Sequence, residues 1–204
     1  MDQDQIETKY QNPETNNRNA VWQRTEARVN EYRDGLGKRV DEGIKPAVTA
    51  LNALGFETSG SCEGHMDRAS AAPWVDVTVQ GTDAKFEAAY DAFELADQAM
   101  EKGLPELTQT ALFKRAHTLR REAEEPIARE AVKILPLLEE FYRGRETPYA
   151  ARIILNIMGS RFRLESQGAA VQPIYTQEEK QKNLDLYHHE MTDFSHFLKD
   201  RFFK

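Results

Sequence analysis

The stretch Trp74-Val75-Asp76-Val77-Thr78-Val79 alternates at a period of two, while most of the chain around it repeats at helical spacing. Val75, Val77 and Val79 fall on one face of such a strand and Trp74, Asp76 and Thr78 on the other. A single strand leaves its backbone groups unpaired, so further strands have to exist. Phe56-Glu57-Thr58 reads as extended. Ile153 to Met158 and Arg161 to Leu164 flank Gly159-Ser160, which predicts a β-hairpin. Short strands set among helical segments predict an α+β fold: a small, largely antiparallel sheet packed with several helices and ending in a long C-terminal helix.

The helical segments have readable ends. A stretch over about Ala20 to Arg33 carries Val21, Trp22, Val29 and Tyr32, and Gly35 and Gly37 close it. A second helix starts between Val40 and Lys45, since Pro46 is tolerated only in a first turn, and Gly55 follows its end. Asp41 and Glu42 then stand at or just before the positive end of its dipole. From Thr82 a helix resumes with Phe86, Tyr90, Phe93 and Met100 on one side, and Gly103-Leu104-Pro105 stops it. Residues 106–143 are helical in pattern, with Pro126 and Pro136 expected to break or kink them. Thr176-Gln177-Glu178-Glu179 is a capping box opening the final helix, whose inner stripe is Leu184, Tyr187, Met191, Phe194, Leu198 and Phe202.

With 204 residues, 40% hydrophobic and 30% charged, the chain is long enough for one core. Residues 1–18 read as a flexible arm and residues 19–204 as one domain. A net charge of −7 excludes a grip on nucleic acid through bulk charge. The local basic stretch Lys114 to Arg121 sets Arg115, Thr118 and Arg121 near one helix face, but Glu122, Glu124 and Glu125 follow, and a solvated face is the plainer reading. The one cysteine, Cys62, excludes a disulfide within the chain and fits a reducing compartment. The start lacks a signal peptide's features and no apolar run reaches membrane-span length, so the expectation is a cytoplasmic protein without a membrane partner. The acidic helices leave homo-oligomerisation open.

Chemistry concentrates between Thr58 and His65, where Thr58, Ser59, Gly60, Ser61, Cys62, Glu63, Gly64 and His65 gather hydroxyls, glycines, a thiol and an imidazole. Glycines let a backbone approach a ligand, and successive N–H groups can cradle an anion. The plain alternative is a tight strand-to-strand turn whose hydroxyls satisfy its own backbone. Cys62 and His65 have C-x-x-H spacing but need a third ligand, Asp67 or a distant histidine, before a zinc site exists, so no metal is assigned. As a nucleophile–base pair they lack an evident acid to orient the imidazole. Of the histidines on the last helix, His189 and His196 fall on the wet face and His188 at the boundary. Trp74 opens the following strand, either walling a pocket near Cys62 or stacking a base, although core is the commoner role.

The segment Asp34 to Ile44, with Val40-Asp41-Glu42-Gly43-Ile44 at its end, then Leu51-Asn52 and Thr58-Ser59-Gly60-Ser61-Cys62-Glu63-Gly64, resembles the N-terminal part of the tRNA wybutosine-synthesising methyltransferases, those of the third enzyme of the pathway. That family has a Val-Asp-Glu-x-Ile helix start and a Thr-x-Ser-Ser-Cys-x-Gly-Arg loop. His65 stands where the family has arginine and Gly60 replaces one serine; the resemblance covers residues 34–65. Arg161 to Gly168 resembles its Phe-Arg-Glu-Ser-Gly element. The resemblance implies an S-adenosylmethionine-dependent methyl transfer to RNA or a nucleotide-like substrate. Cys62, Ser61 and His65 would be the catalytic set. Thr58, Ser59, Gly60, Gly64, Asp41 and Trp74 would bind ligand. The alternatives are a non-enzymatic nucleotide- or anion-binding module and a protein-interaction module.

Overall fold

The computed structural model describes residues 13–34, 36–67 and 71–204. The elements run α1 (Pro13–Glu31), α2 (Lys45–Ala53), β1 (Glu57–Cys62), β2 (Trp74–Thr78), α3 (Thr82–Glu101), α4 (Glu106–Tyr142), β3 (Ile153–Met158), β4 (Arg161–Ser166) and α5 (Gln177–Phe203). Short 3₁₀ turns at Tyr149–Ala151 and Gln167–Ile174 flank the hairpin. The fold is α+β, as the patterning predicts.

All strand pairs are antiparallel, in the order β1-β2-β4-β3. Register sets Val75 beside Leu164 and Val77 beside Phe162, and all four are fully buried against Ile44, Leu51, Phe194 and Leu198. Alternation sends Trp74 and Asp76, with Arg163 across from Asp76, to the opposite face. There the guanidinium of Arg163 grips the buried carboxylate of Asp76 through two hydrogen bonds of 2.7 and 3.0 Å and stacks 3.8 Å over the Trp74 ring. The hairpin turns at Gly159 with φ +61°.

Local signals account for the element ends. Pro46 occupies the first turn of α2. At its far end Phe56 N–H donates to the carbonyl of Leu51 and Gly55 N–H to that of Asn52, a Schellman closure in which Gly55 takes φ +93°. The Thr176 hydroxyl and the Glu179 carboxylate form the capping box that opens α5. Leu184, Tyr187, Met191, Phe194 and Leu198 are buried along α5, and Phe202 is partly so.

Several expectations are corrected. Helix α1 begins at Pro13, well before Ala20, because Thr15 to Asn19 continue the turn despite their turn-forming character. Of the expected arm, residues 1–12 lie outside the described residues, as does the helix-closing Gly35. Pro126 and Pro136 do not break α4, which runs through both; each removes one N–H donor, while Ile127, Ile134 and Leu138 of the same helix are held in the core. On α3 Tyr90 and Met100 are exposed, and the inner stripe is Phe86, Ala89, Ala92, Ala96 and Ala99. Small side chains let α3 lie close along α4, whose Ala116 and Ala123 are likewise buried, and Phe93 meets His117 of α4 edge-on at 5.0 Å across the same seam. Arg115, Thr118 and Arg121 are exposed and Arg120 pairs with Glu124, the solvated face anticipated. Ile157 is half-exposed at the outer strand, whereas Leu155 packs on the core. No helix among the described residues is long and apolar enough to cross a membrane.

Candidate functional site

The segment Thr58 to His65, read as a loop, is mostly strand. Thr58 to Cys62 belong to the edge strand β1, and the connection proper starts at Glu63. A bulge falls between Thr58 and Gly60, where the register with β2 shifts. A bulge re-aims side chains, yet Thr58 to Ser61 on both sides of it face one cleft, and the motif divides only after Ser61.

Thr58, Ser59, Gly60 and Ser61 line a cleft of about 480 Å³ beside β1. Its other walls are Arg28 and Val29 of α1, Tyr32 just past its end, Val40, Val48 and Asn52, Gly55 and Phe56 before β1, Glu57 at its start, and Gln80. Asn52 joins the walls: its amide donates to the Thr58 hydroxyl and to the Val48 carbonyl, both at 2.7 Å, and its oxygen accepts from Arg28 at 3.1 Å. Polar groups thus stand over an apolar floor of Val29, Val40, Val48 and Phe56. Gly60 has no positive φ, and a Cβ there would make ordinary contact with Trp74 at 3.4 Å, so its place does not demand glycine.

Cys62 and His65 do not line this cleft; they meet Asp41. One ligating atom from each of Asp41, Cys62 and His65 lies within 4.8 Å of the others, and all three residues are half-buried. His65 Nε2 stands 3.2 Å from Asp41 Oδ2, which supplies the orienting acid that the sequence did not reveal. Asp67, proposed as the completing residue, is exposed and outside the cluster. Gly64 N–H donates to Cys62 Sγ at 3.3 Å, and Glu63 N–H donates to Asp41 Oδ2 at 3.3 Å. Cys62 is also near Arg163; the pKa of that guanidinium is raised, mainly by its hydrogen bond to Asp76 and in smaller part by Cys62. Trp74 pairs with Cys62 across the sheet, but its ring stacks on Arg163 rather than walling the cleft.

Distant groups hold the connection in place, and none of them was legible as a site residue. Gly43 N–H donates to Glu63 Oε2 at 2.7 Å, and a Cβ on Gly43 would sit 2.8 Å from that oxygen. The His188 imidazole on α5 bonds the Glu63 carbonyl. The buried Gln172 amide takes both backbone groups of Ala71, at 3.0 and 2.7 Å. Gly64 has φ +88°, and a Cβ on it would lie 2.7 Å from Ala72 carbon and 2.9 Å from Leu184 Cδ1, so this glycine is required. His189 and His196 are exposed on α5, as expected.

Cleft and cluster are neighbours. Val40 and Ser61 line the one, and the next residues, Asp41 and Cys62, belong to the other. Comparison of the chain with protein-family models, curated proteins and solved structures gives no match.

Proposed function

We propose that the cleft beside β1 binds an adenosine-bearing small molecule, S-adenosylmethionine foremost, and that the chain is methyltransferase-like toward RNA or a nucleotide-like substrate. The observation that carries this reading is the position of Thr58, Ser59, Gly60 and Ser61: consecutive residues of the resembling motif all line one cleft. Its volume of about 480 Å³ suits a ligand of that class, as pockets for small organic molecules span roughly 300–1,000 Å³. Adenosylmethionine presents an adenine ring, a ribose diol, a carboxylate and two cationic centres. The cleft offers matching groups: Tyr32 and the apolar floor for the ring, Glu57 for the diol or ammonium, and Arg28 for the carboxylate. One arginine and one glutamate favour a zwitterionic ligand over a polyphosphate, whose several charges would call for more cations.

The test is calorimetric titration of the chain with adenosylmethionine, adenosylhomocysteine and ATP, followed by transfer of a labelled methyl group to bulk tRNA. Saturable binding of the first two, weakened by Arg28→Ala, is the expected outcome. Binding without transfer would favour the nucleotide-binding module. No saturable binding of any of the three would end both readings.

A further inference from the structure

The geometry points to a zinc site formed by Asp41 Oδ, Cys62 Sγ and His65, next to the cleft and independent of which ligand the cleft takes. The donors come from three places: the turn before α2, the end of β1, and the connection after it. In a tetrahedral site with Zn–N and Zn–O bonds near 2.0–2.1 Å, those two donors stand about 3.3 Å apart. His65 Nε2 and Asp41 Oδ2 are already at 3.2 Å. The third donor needs only a small side-chain adjustment from within 4.8 Å, since sulfur, with its longer bond of about 2.3 Å, sits somewhat further from its neighbours.

The donor set selects the metal. One thiolate, one imidazole and one carboxylate suit a borderline ion, whereas calcium and magnesium take oxygen ligands almost exclusively. Three protein donors leave a fourth position for water or a substrate atom, the pattern of catalytic rather than structural zinc. Support from outside the cluster is of the kind metal sites have. Glu63 N–H fixes Asp41 and Gly64 N–H fixes Cys62. Glu63 itself is tied by its carboxylate to Gly43 and by its carbonyl to His188. Side-chain exposures of 20% for His65 and 27% for Asp41 leave an ion a route in while shielding it from bulk water.

The experiment uses the full chain without a histidine tag, reduced and stripped with a chelator, then titrated with zinc against a chromophoric competitor. One zinc per chain is expected, with affinity about tenfold or more weaker in Cys62→Ala, His65→Ala and Asp41→Ala, and unchanged in His189→Ala. Cobalt(II) added to the unaltered chain should give a thiolate-to-cobalt charge-transfer band, a readout that needs no variant to fold. Because Cys62 is the chain's one cysteine, its alkylation rate reports on this site alone, and zinc should slow it. Absence of the cobalt–thiolate band, or zinc binding that survives both Cys62→Ala and His65→Ala, would overturn the assignment.

Discussion

Gly64→Ala tests whether the connection after β1 is held as tightly as its contacts imply. Two costs add. At φ +88° an L side chain is disfavoured by about 1–2 kcal/mol. The new Cβ would also lie 2.7 Å from Ala72 carbon, 3.0 Å from Ala72 nitrogen and 2.9 Å from Leu184 Cδ1. Two of those neighbours are backbone atoms of Ala72, and the adjoining Ala71 is tethered through both backbone groups by Gln172, so they cannot swing aside, and overpacking of this kind costs about 1–3 kcal/mol. The sum is about 2–5 kcal/mol. Gly37→Ala is the matched control: its φ is +77°, and nothing lies within 4 Å of the added Cβ, so only the first cost applies. Thermal unfolding followed by circular dichroism reads the difference. For a chain of this size each kcal/mol is worth about 2–4 °C, so Gly64→Ala should melt about 10 °C below the unaltered protein and Gly37→Ala about 4 °C below it. A lowered urea midpoint at an unchanged m-value checks that the cost is one of stability rather than a changed unfolded state. Equal melting temperatures for the two variants would show that the connection is loose, and the reasoning about the site's rigidity would fall with it.

Two further outcomes concern the scaffold. Asp76→Ala strips the partner from Arg163 and should cost about 3 kcal/mol, the low end for breaking a buried pair, because Arg163 keeps its stacking on Trp74; Arg161→Ala, at a half-exposed position, should cost less than about 1 kcal/mol in the same urea titration. Comparable losses for both would place the pair in solvent. Burial raises the pKa of the Tyr142 phenol, whose oxygen accepts from Ile153 N–H at 2.6 Å. The folded chain therefore favours the neutral phenol. That contribution is complete below the unfolded value of about 10 and is lost as pH rises beyond it. Tyr142→Phe should thus cost about 1–2 kcal/mol at neutral pH, where it orphans Ile153 N–H, and flatten the fall in urea midpoint above about pH 10. Parallel pH profiles for the variant and the unaltered chain would refute it.

What the sequence determined was local. The alternation at Val75 and Val77 set the buried face of β2. Pro46 and Gly55 set the ends of α2, Gly159-Ser160 the hairpin, and Thr176 with Glu179 the start of α5. Each signal acts between residues a few positions apart, where backbone geometry leaves few choices. The sequence also marked Thr58 to His65 as unlike the scaffold around it, but not how its residues divide. Only the tertiary structure put Thr58 to Ser61 into the cleft and turned Cys62 and His65 toward Asp41. It alone brought Gly43 to Glu63, His188 to the Glu63 carbonyl and Gln172 to Ala71. Those partners sit 20, 125 and 101 positions apart, and no periodicity or spacing rule spans such separations. Gly43 and His188 reach Glu63 because α2 and α5 pack on each other and on the core, while Gln172 reaches Ala71 from the 3₁₀ turn that follows β4. The same cause kept Pro126 and Pro136 inside α4: two lost backbone hydrogen bonds are outweighed by the burial of Ile127, Ile134, Leu138 and Phe141, each worth about 1.5–3 kcal/mol.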